Sequence, residues 1–137
     1  MTRHTRQSLQ EALDQGLAID GADLRGLDLS GVNLSLTNLS AADLSRTNLS
    51  DTGLRGSNLS RTKFDGAFFS NTDLSGSNLS WVTLKDVDLA TSKLNIITAM
   101  YSQFFGVRIV DQDLKGSNLS ESILTYCTLR NIDFSHT

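Results

Sequence analysis

The sequence predicts an all-β solenoid, a chain that stacks short extended segments and turns into a rod. A large apolar residue recurs at every fifth position in 23 of 24 consecutive units from Ile19 to Phe134, the exception being Ala99, and proline is absent. A spacing of five fits neither the apolar stripe of a helix nor the alternation of a strand. It fits a chain that runs briefly extended, points one large and one small side chain inward, and then turns a corner.

The individual positions of the unit support this prediction. Leucine fills 17 of the 24 central positions, and the position two residues earlier is usually small. Asp or Asn often precedes the centre, as at Asp23 and Asn33, and Ser or Gly often follows it, as at Ser30 and Gly31. These residues form tight turns with little strain. The absence of proline leaves every backbone N–H free to pair between stacked coils.

The first sixteen residues do not follow the repeat and predict a helix. Ser8 and Glu11 have the spacing of a capping box, with Ser8 as the N-cap. Leu9, Ala12 and Leu13 would then share one face, and Gly16 is a suitable stop. We therefore predict an N-terminal tail and capping helix in residues 1–16, helical over about 8–15, followed by the solenoid in residues 17–137.

Several units closely resemble the repeat of the pentapeptide-repeat family, among them Ala22-Asp23-Leu24-Arg25-Gly26 and Ala42-Asp43-Leu44-Ser45-Arg46. The resemblance extends over residues 17–136. It implies a right-handed, four-sided parallel β-helix with four units per coil. Twenty-four units would make about six coils, a rod roughly 29 Å long at the spacing of a sheet. The pattern weakens at Phe68, Ala99, Gln112 and Ile123.

Residues 95–111 are the least repeat-like part of the chain, although they keep the five-residue count. Two hypotheses follow. Either the solenoid continues through this segment, or an irregular loop of five or ten residues leaves it without disturbing the register.

Composition excludes several classes of protein. Twelve Lys and Arg against fifteen Asp and Glu give a net charge of −3, unlike the basic domains that bind nucleic acid directly. No apolar run approaches the roughly 18 residues of a membrane helix, and no secretion signal is visible. We therefore expect no membrane partner, a cytoplasmic location and a bacterial or phage source.

Catalytic and metal-binding motifs are missing from the sequence. It contains neither a phosphate-binding loop nor a zinc-protease motif, and its two histidines, His4 and His136, lie near the ends. The single cysteine, Cys127, falls at a small inward position, which favours a buried thiol over a nucleophile. We predict that the chain is not an enzyme and needs no cofactor or metal.

The outward positions must then carry the function. With four units per coil, residues twenty apart stack, so Arg61, Trp81 and Tyr101 would be neighbours, as in a cation–π and aromatic ladder. Exposed aromatic and methionine side chains mark partner sites. The candidate partner-binding residues are Arg61, Trp81, Met100, Tyr101, Phe105, Ile123 and Tyr126. We predict a protein-interaction module, with a secreted effector or adaptor as an alternative role; a loop folded back on itself would instead hide the patch.

Acidic residues suggest a second hypothesis. Some members of the family protect DNA gyrase, and the resemblance implies a DNA-mimicking rod that binds gyrase or another topoisomerase. Its acidic face would contain Asp28, Asp51, Asp88 and Asp111. The alternative is that Asp is merely the turn residue of the repeat.

The C-terminal coil predicts a homodimer. Ile132 and Phe134 would crown an open end, which a second copy could cover. The alternative is that frayed residues and polar side chains are enough to protect the end of the solenoid without a second copy.

Overall fold

The computed structural model describes residues 3–137 and shows a rod held together by parallel pairing of residues twenty apart. Asp23 pairs with Asp43, which pairs with Lys63, and the same offset recurs along the chain. The N–H of Leu24 donates to the carbonyl of Asp43 at 2.9 Å. Because the sequence repeats every five residues, each coil of twenty contains four units. The predicted solenoid is confirmed.

Regular secondary structure in residues 3–137 is limited to one helix and five short strands. Helix α1 spans Arg6–Asp14; the strands are β1 (Thr83–Lys85), β2 (Gln103–Phe105), β3 (Arg108–Val110), β4 (Ile123–Thr125) and β5 (Thr128–Arg130). One parallel sheet has the order β1-β2-β4 and a second contains β3 and β5. Single bridges hold the earlier coils together. Within residues 3–137, no helix has the length and apolar character needed to cross a membrane.

The core follows the five-residue frame. The central leucines from Leu24 to Leu59 are fully buried, and Phe64 and Phe69 pack with their ring centroids 5.2 Å apart. The small inward position also has a polar role. The hydroxyl of Thr72 donates to the carbonyl of Leu49 at 2.7 Å, and that of Thr47 to the carbonyl of Leu24 at 3.1 Å. These buried hydrogen bonds tie each coil to the one before it.

Helix α1 begins earlier than predicted. Thr5, not Ser8, is the N-cap, and the helix ends at Asp14. The Ser8 N–H donates to Thr5 Oγ1 at 3.1 Å, and the Thr5 N–H donates to Ser8 Oγ at 2.9 Å. Ser8 therefore takes the third position of the capping box, because its hydroxyl oxygen accepts the hydrogen bond that a Glu carboxylate usually accepts there. Leu9 and Ala12 are buried against the core.

The irregular loop considered for residues 95–111 is not found. Thr98 pairs with both Asn78 and Asn118, and β2 and β3 lie within the segment. Its inward positions are filled and buried, including Ile97 and Phe104. The unusual residues therefore change the surface and leave the path of the backbone unchanged.

Burial of the core declines toward the last coil. Leu119 and Leu124 are partly buried, whereas Leu129 and Phe134 are 38% and 39% exposed. Ile132 packs partly buried against the core. Cys127 is only partly buried, not fully enclosed as predicted, because it belongs to this less covered coil; its Sγ lies 3.4 Å from the carbonyl of Phe104.

Candidate functional site

The corners of the coils project side chains outward. The corner residue two positions after a central residue has a left-handed backbone at every corner except Thr91, whether or not it is glycine: φ is 63° at Trp81 and 56° at Tyr101. This conformation costs an ordinary residue roughly 1–2 kcal/mol. Hydrogen bonds between coils hold it in place, since the N–H of Trp81 donates to the carbonyl of Met100 at 2.9 Å.

Two pairs of exposed aromatic side chains lie at successive corners. Trp81 and Tyr101 stack with centroids 4.5 Å apart and planes inclined by 19°. Phe105 and Tyr126 meet edge to face at 5.3 Å. Trp81 is 54% exposed and Tyr126 is 82% exposed. Contiguous exposed patches of large apolar side chains are uncommon on monomeric proteins and often mark interaction sites.

A flat sheet joins the two pairs. Tyr101 lies two residues before β2, Phe105 is the last residue of β2, and Ile123 begins β4 beside Gln103. We call the surface formed by Trp81, Tyr101, Phe105, Ile123 and Tyr126 the aromatic face. The structure therefore brings these five predicted residues together along the edges and the middle of one sheet. The Lys85 ammonium lies beside them, 6.0 Å from the centroid of the Phe105 ring.

The other two partner-binding candidates contribute less. Arg61 lines a shallow depression of about 360 Å³ beside Trp81, together with Asn58 and Asn78. In the part of the chain that the structure describes, Arg61 does not lie over the Trp81 ring, so the expected cation–π contact is not formed. Met100 is half-buried in a column otherwise made of serine. Neither residue belongs to the aromatic face.

The four acidic candidates share one side of the rod, but each has a partner. Arg108 donates to both carboxylate oxygens of Asp88 at 3.1 Å. Side-chain amides donate to the other three: Asn48 to Asp28, Asn71 to Asp51 and Asn131 to Asp111. Hydrogen bonds from Ser30 lower the pKa of Asp28. The four carboxylates alternate with amides and an arginine and form no continuous acidic stripe.

A paired cluster of charges occupies the first coil. Arg25 donates two hydrogen bonds to the carboxylate of Asp23, at 2.8 and 2.7 Å, and lies 3.9 Å from Asp43. The Arg25 guanidinium lowers the pKa of Asp23 to about 2, and the carboxylate raises the pKa of Arg25. Since Arg25 and Asp23 neutralise each other, this pair offers little net field to an approaching partner.

The prediction missed several exposed apolar side chains, three of them exposed by more than 60%. Leu36, Phe68 and Ile96 are 83%, 66% and 65% exposed. The five-residue frame itself could have located them, because Leu36 and Ile96 fall at corners and Phe68 directly precedes a central residue. Residues 3–137 contain no group of three or more His, Cys, Asp or Glu side chains suited to a metal ion. That the chain lacks enzymatic activity stays a prediction.

The model of the family described as "Pentapeptide repeats (8 copies)" matches residues 19–56, 53–89 and 102–137. The chain belongs to the pentapeptide-repeat family. No curated protein matches its sequence. Solved structures of pentapeptide-repeat proteins resemble it in fold and identify the rod as a right-handed β-helix.

Two solved structures illustrate this likeness, and a third match, QnrB1, has too low a TM-score to support it. The pentapeptide repeat protein AT2G44920 of the Arabidopsis thaliana thylakoid lumen is 25% identical over 75% of this chain, with a TM-score of 0.50; this chain spans 65% of its length. The pentapeptide repeat protein alr5209 of Nostoc PCC 7120 is 21% identical over 94% of this chain and 98% of its own, with a TM-score of 0.55. The plasmid-mediated fluoroquinolone resistance protein QnrB1 is 19% identical over 83% of this chain and 78% of its own. Its TM-score of 0.27 is too low to bear on function.

Proposed function

We propose that this pentapeptide-repeat protein is a non-catalytic interaction module that binds a protein partner through its aromatic face. In this proposal the rod has about six coils, α1 covers its N-terminal end, and the protein works in the cytoplasm of a bacterial cell. A secreted effector or adaptor would use the same surface in another compartment.

The aromatic face is the observation that carries the proposal. Its two aromatic pairs are held at fixed separations by the β-helix, so a partner would meet a preformed surface. Tyr and Trp dominate the binding energy of protein interfaces because each buries a large area and loses little conformational freedom. Between the two aromatic pairs, the sheet presents an uncharged column of side chains that consists of Thr83, Gln103 and Ile123.

The double variant Trp81→Ala/Tyr101→Ala tests the proposal. Purified protein would be immobilised, exposed to extract from the source cells, and its bound proteins quantified by mass spectrometry. We expect at least one partner to bind the unchanged protein and to be lost from the variant. With that partner purified, its dissociation constant should rise at least about 30-fold, which corresponds to roughly 2 kcal/mol.

Phe68→Ala is the matched control. Phe68 is as exposed as Trp81 but precedes a centre on another side of the rod, outside the aromatic face. The control should keep the partner, and all three proteins should melt at similar temperatures. A partner that binds the double variant and the unchanged protein equally well would refute the assignment.

Gyrase binding by DNA mimicry is the alternative function. The position of Asp28, Asp51, Asp88 and Asp111 on one side of the rod favours it, whereas their local partners weaken the field that they could present. Under this alternative, purified protein would alter supercoiling by gyrase, and replacing all four residues with asparagine would abolish the effect. Unchanged supercoiling at micromolar protein would exclude it.

We also propose a homodimer formed through the last coil. The exposed Leu129 and Phe134 side chains would be buried by a second copy, with Ile132 beside them. Light scattering at micromolar concentration should then give twice the mass of the chain, and Phe134→Asp should halve it. A monomeric mass for the unchanged protein would contradict the proposal.

A further inference from the structure

A groove runs along a corner that lies apart from the aromatic face. The corner residues there are, in successive coils, Leu36, Gly56, Gly76 and Ile96. Leu36 and Ile96 form the two ends of a depression of about 750 Å³, whose floor is the backbone of the two glycines. Both end residues are largely exposed.

The two glycines differ in the space above them. A Cβ atom at Gly56 would come within 2.8 Å of Leu36 Cδ2, so the Leu36 side chain lies across that coil. At Gly76, the nearest atom to such a Cβ would be the backbone nitrogen of Gly56 at 3.9 Å. With coils about 4.8 Å apart, the gap between the Leu36 tip and Ile96 is about 10 Å. That width admits one aliphatic side chain in contact with both ends.

The borders of the groove carry positive charge. Arg55 and Lys93 line it on one side, with Asp73 between them. Lys93 lies 3.9 Å from Asp73, whereas Arg55 forms no ion pair with any residue in 3–137. The other polar lining residues, Ser35, Ser75 and Asn95, are uncharged. In a protein of net charge −3, the groove thus combines an apolar slot with a net positive lining of two cations and one carboxylate.

We infer that this groove binds an extended acidic segment of a partner protein, with one aliphatic side chain over Gly76 and a carboxylate paired with Arg55. The slot supplies two apolar walls for the aliphatic side chain, and the bare glycine backbone lets the segment approach closely. Charge complementarity favours an acidic segment over a basic one. The inference uses none of the residues of the aromatic face and holds or fails independently of it.

The chain provides a conservative way to fill the slot. Leu36 and Ile96 adopt φ of 61° and 55° in the same column, so the fold accepts an aliphatic residue at this kind of corner. Gly76→Leu should therefore close the slot with little other change. Gly116→Leu is the matched control, since Gly116 occupies the next corner beyond Ile96, has φ of 69° and has open space above it.

A phage-displayed library of random heptapeptides would be selected on the unchanged protein, and the selected peptides measured against both variants. We expect a consensus with one aliphatic residue flanked by Asp or Glu. Affinity for such peptides should fall at least tenfold with Gly76→Leu and stay unchanged with Gly116→Leu. Arg55→Glu should also weaken them at least tenfold, and replacing their acidic residues with lysine should restore binding to that variant.

The inference would be overturned by selected peptides that bind Gly76→Leu as tightly as the unchanged protein, or by a consensus of basic residues. It would also be overturned by acidic peptides whose affinity does not change with Arg55→Glu. Peptides lost only with Trp81→Ala/Tyr101→Ala would assign peptide binding to the aromatic face instead, and would also refute the groove.

Discussion

Replacing Leu74 with aspartate is expected to unfold most of the protein. Leu74 has no exposed surface, and its N–H donates to the carbonyl of Lys93 in the next coil. The column above and below it is filled by Leu54 and Leu94, which are equally buried. A carboxylate there has neither water nor a cation, so the cost should exceed about 4 kcal/mol. This cost is comparable to the free energy of unfolding of a domain at the lower end of the usual range, which is about 5–15 kcal/mol.

Ser75→Asp is the control for this experiment, since it introduces the same residue one position later. The Ser75 side chain points outward beside Arg55, and its N–H bond to Asp73 Oδ1 survives the substitution. Its cost should stay within about 0.5 kcal/mol. Urea unfolding followed by circular dichroism measures both variants. Equal unfolding midpoints would contradict the inward and outward assignment of the whole repeat.

Phe64→Ala should have the next largest effect. Phe64 is 2% exposed and packs against Phe69, so its removal leaves a cavity in the core. We expect a loss of about 3–5 kcal/mol in the free energy of unfolding, because the truncation removes a large buried side chain and leaves that cavity behind.

Phe68→Ala removes the same side chain as Phe64→Ala, in the same coil but at an exposed position. It therefore tests whether burial, and not side-chain size, determines the loss of stability. Phe68 is exposed and only one position from Phe69, so the same truncation should change stability by less than about 0.5 kcal/mol. The comparison requires chemical unfolding of both variants under identical conditions. Similar losses would show that Phe68 packs inward and would invalidate its use as a control for the aromatic face.

The candidate site could be predicted in part. Stacking of Trp81 on Tyr101 follows from two facts, the five-residue frame and the four units per coil implied by the family. The position of Arg61 does not follow, because its long side chain can leave the column that its backbone occupies. The groove between Leu36 and Ile96 was also missed, because its floor consists of glycines and its shape depends on how Leu36 leans over Gly56.

By itself the sequence determined which side chains lie inside. A period of five that persists through 24 units has one compact solution, so burial from Leu24 to Leu114 could be assigned without coordinates. Tertiary structure decided the left-handed backbone at non-glycine corners, the start of α1 and the partners of the aspartates. The left-handed corners and the partners of the aspartates depend on hydrogen bonds between residues that are distant in sequence. The start of α1 depends on which of several hydroxyl or carboxylate groups accepts the capping hydrogen bond. Such choices are settled only when the coils are stacked.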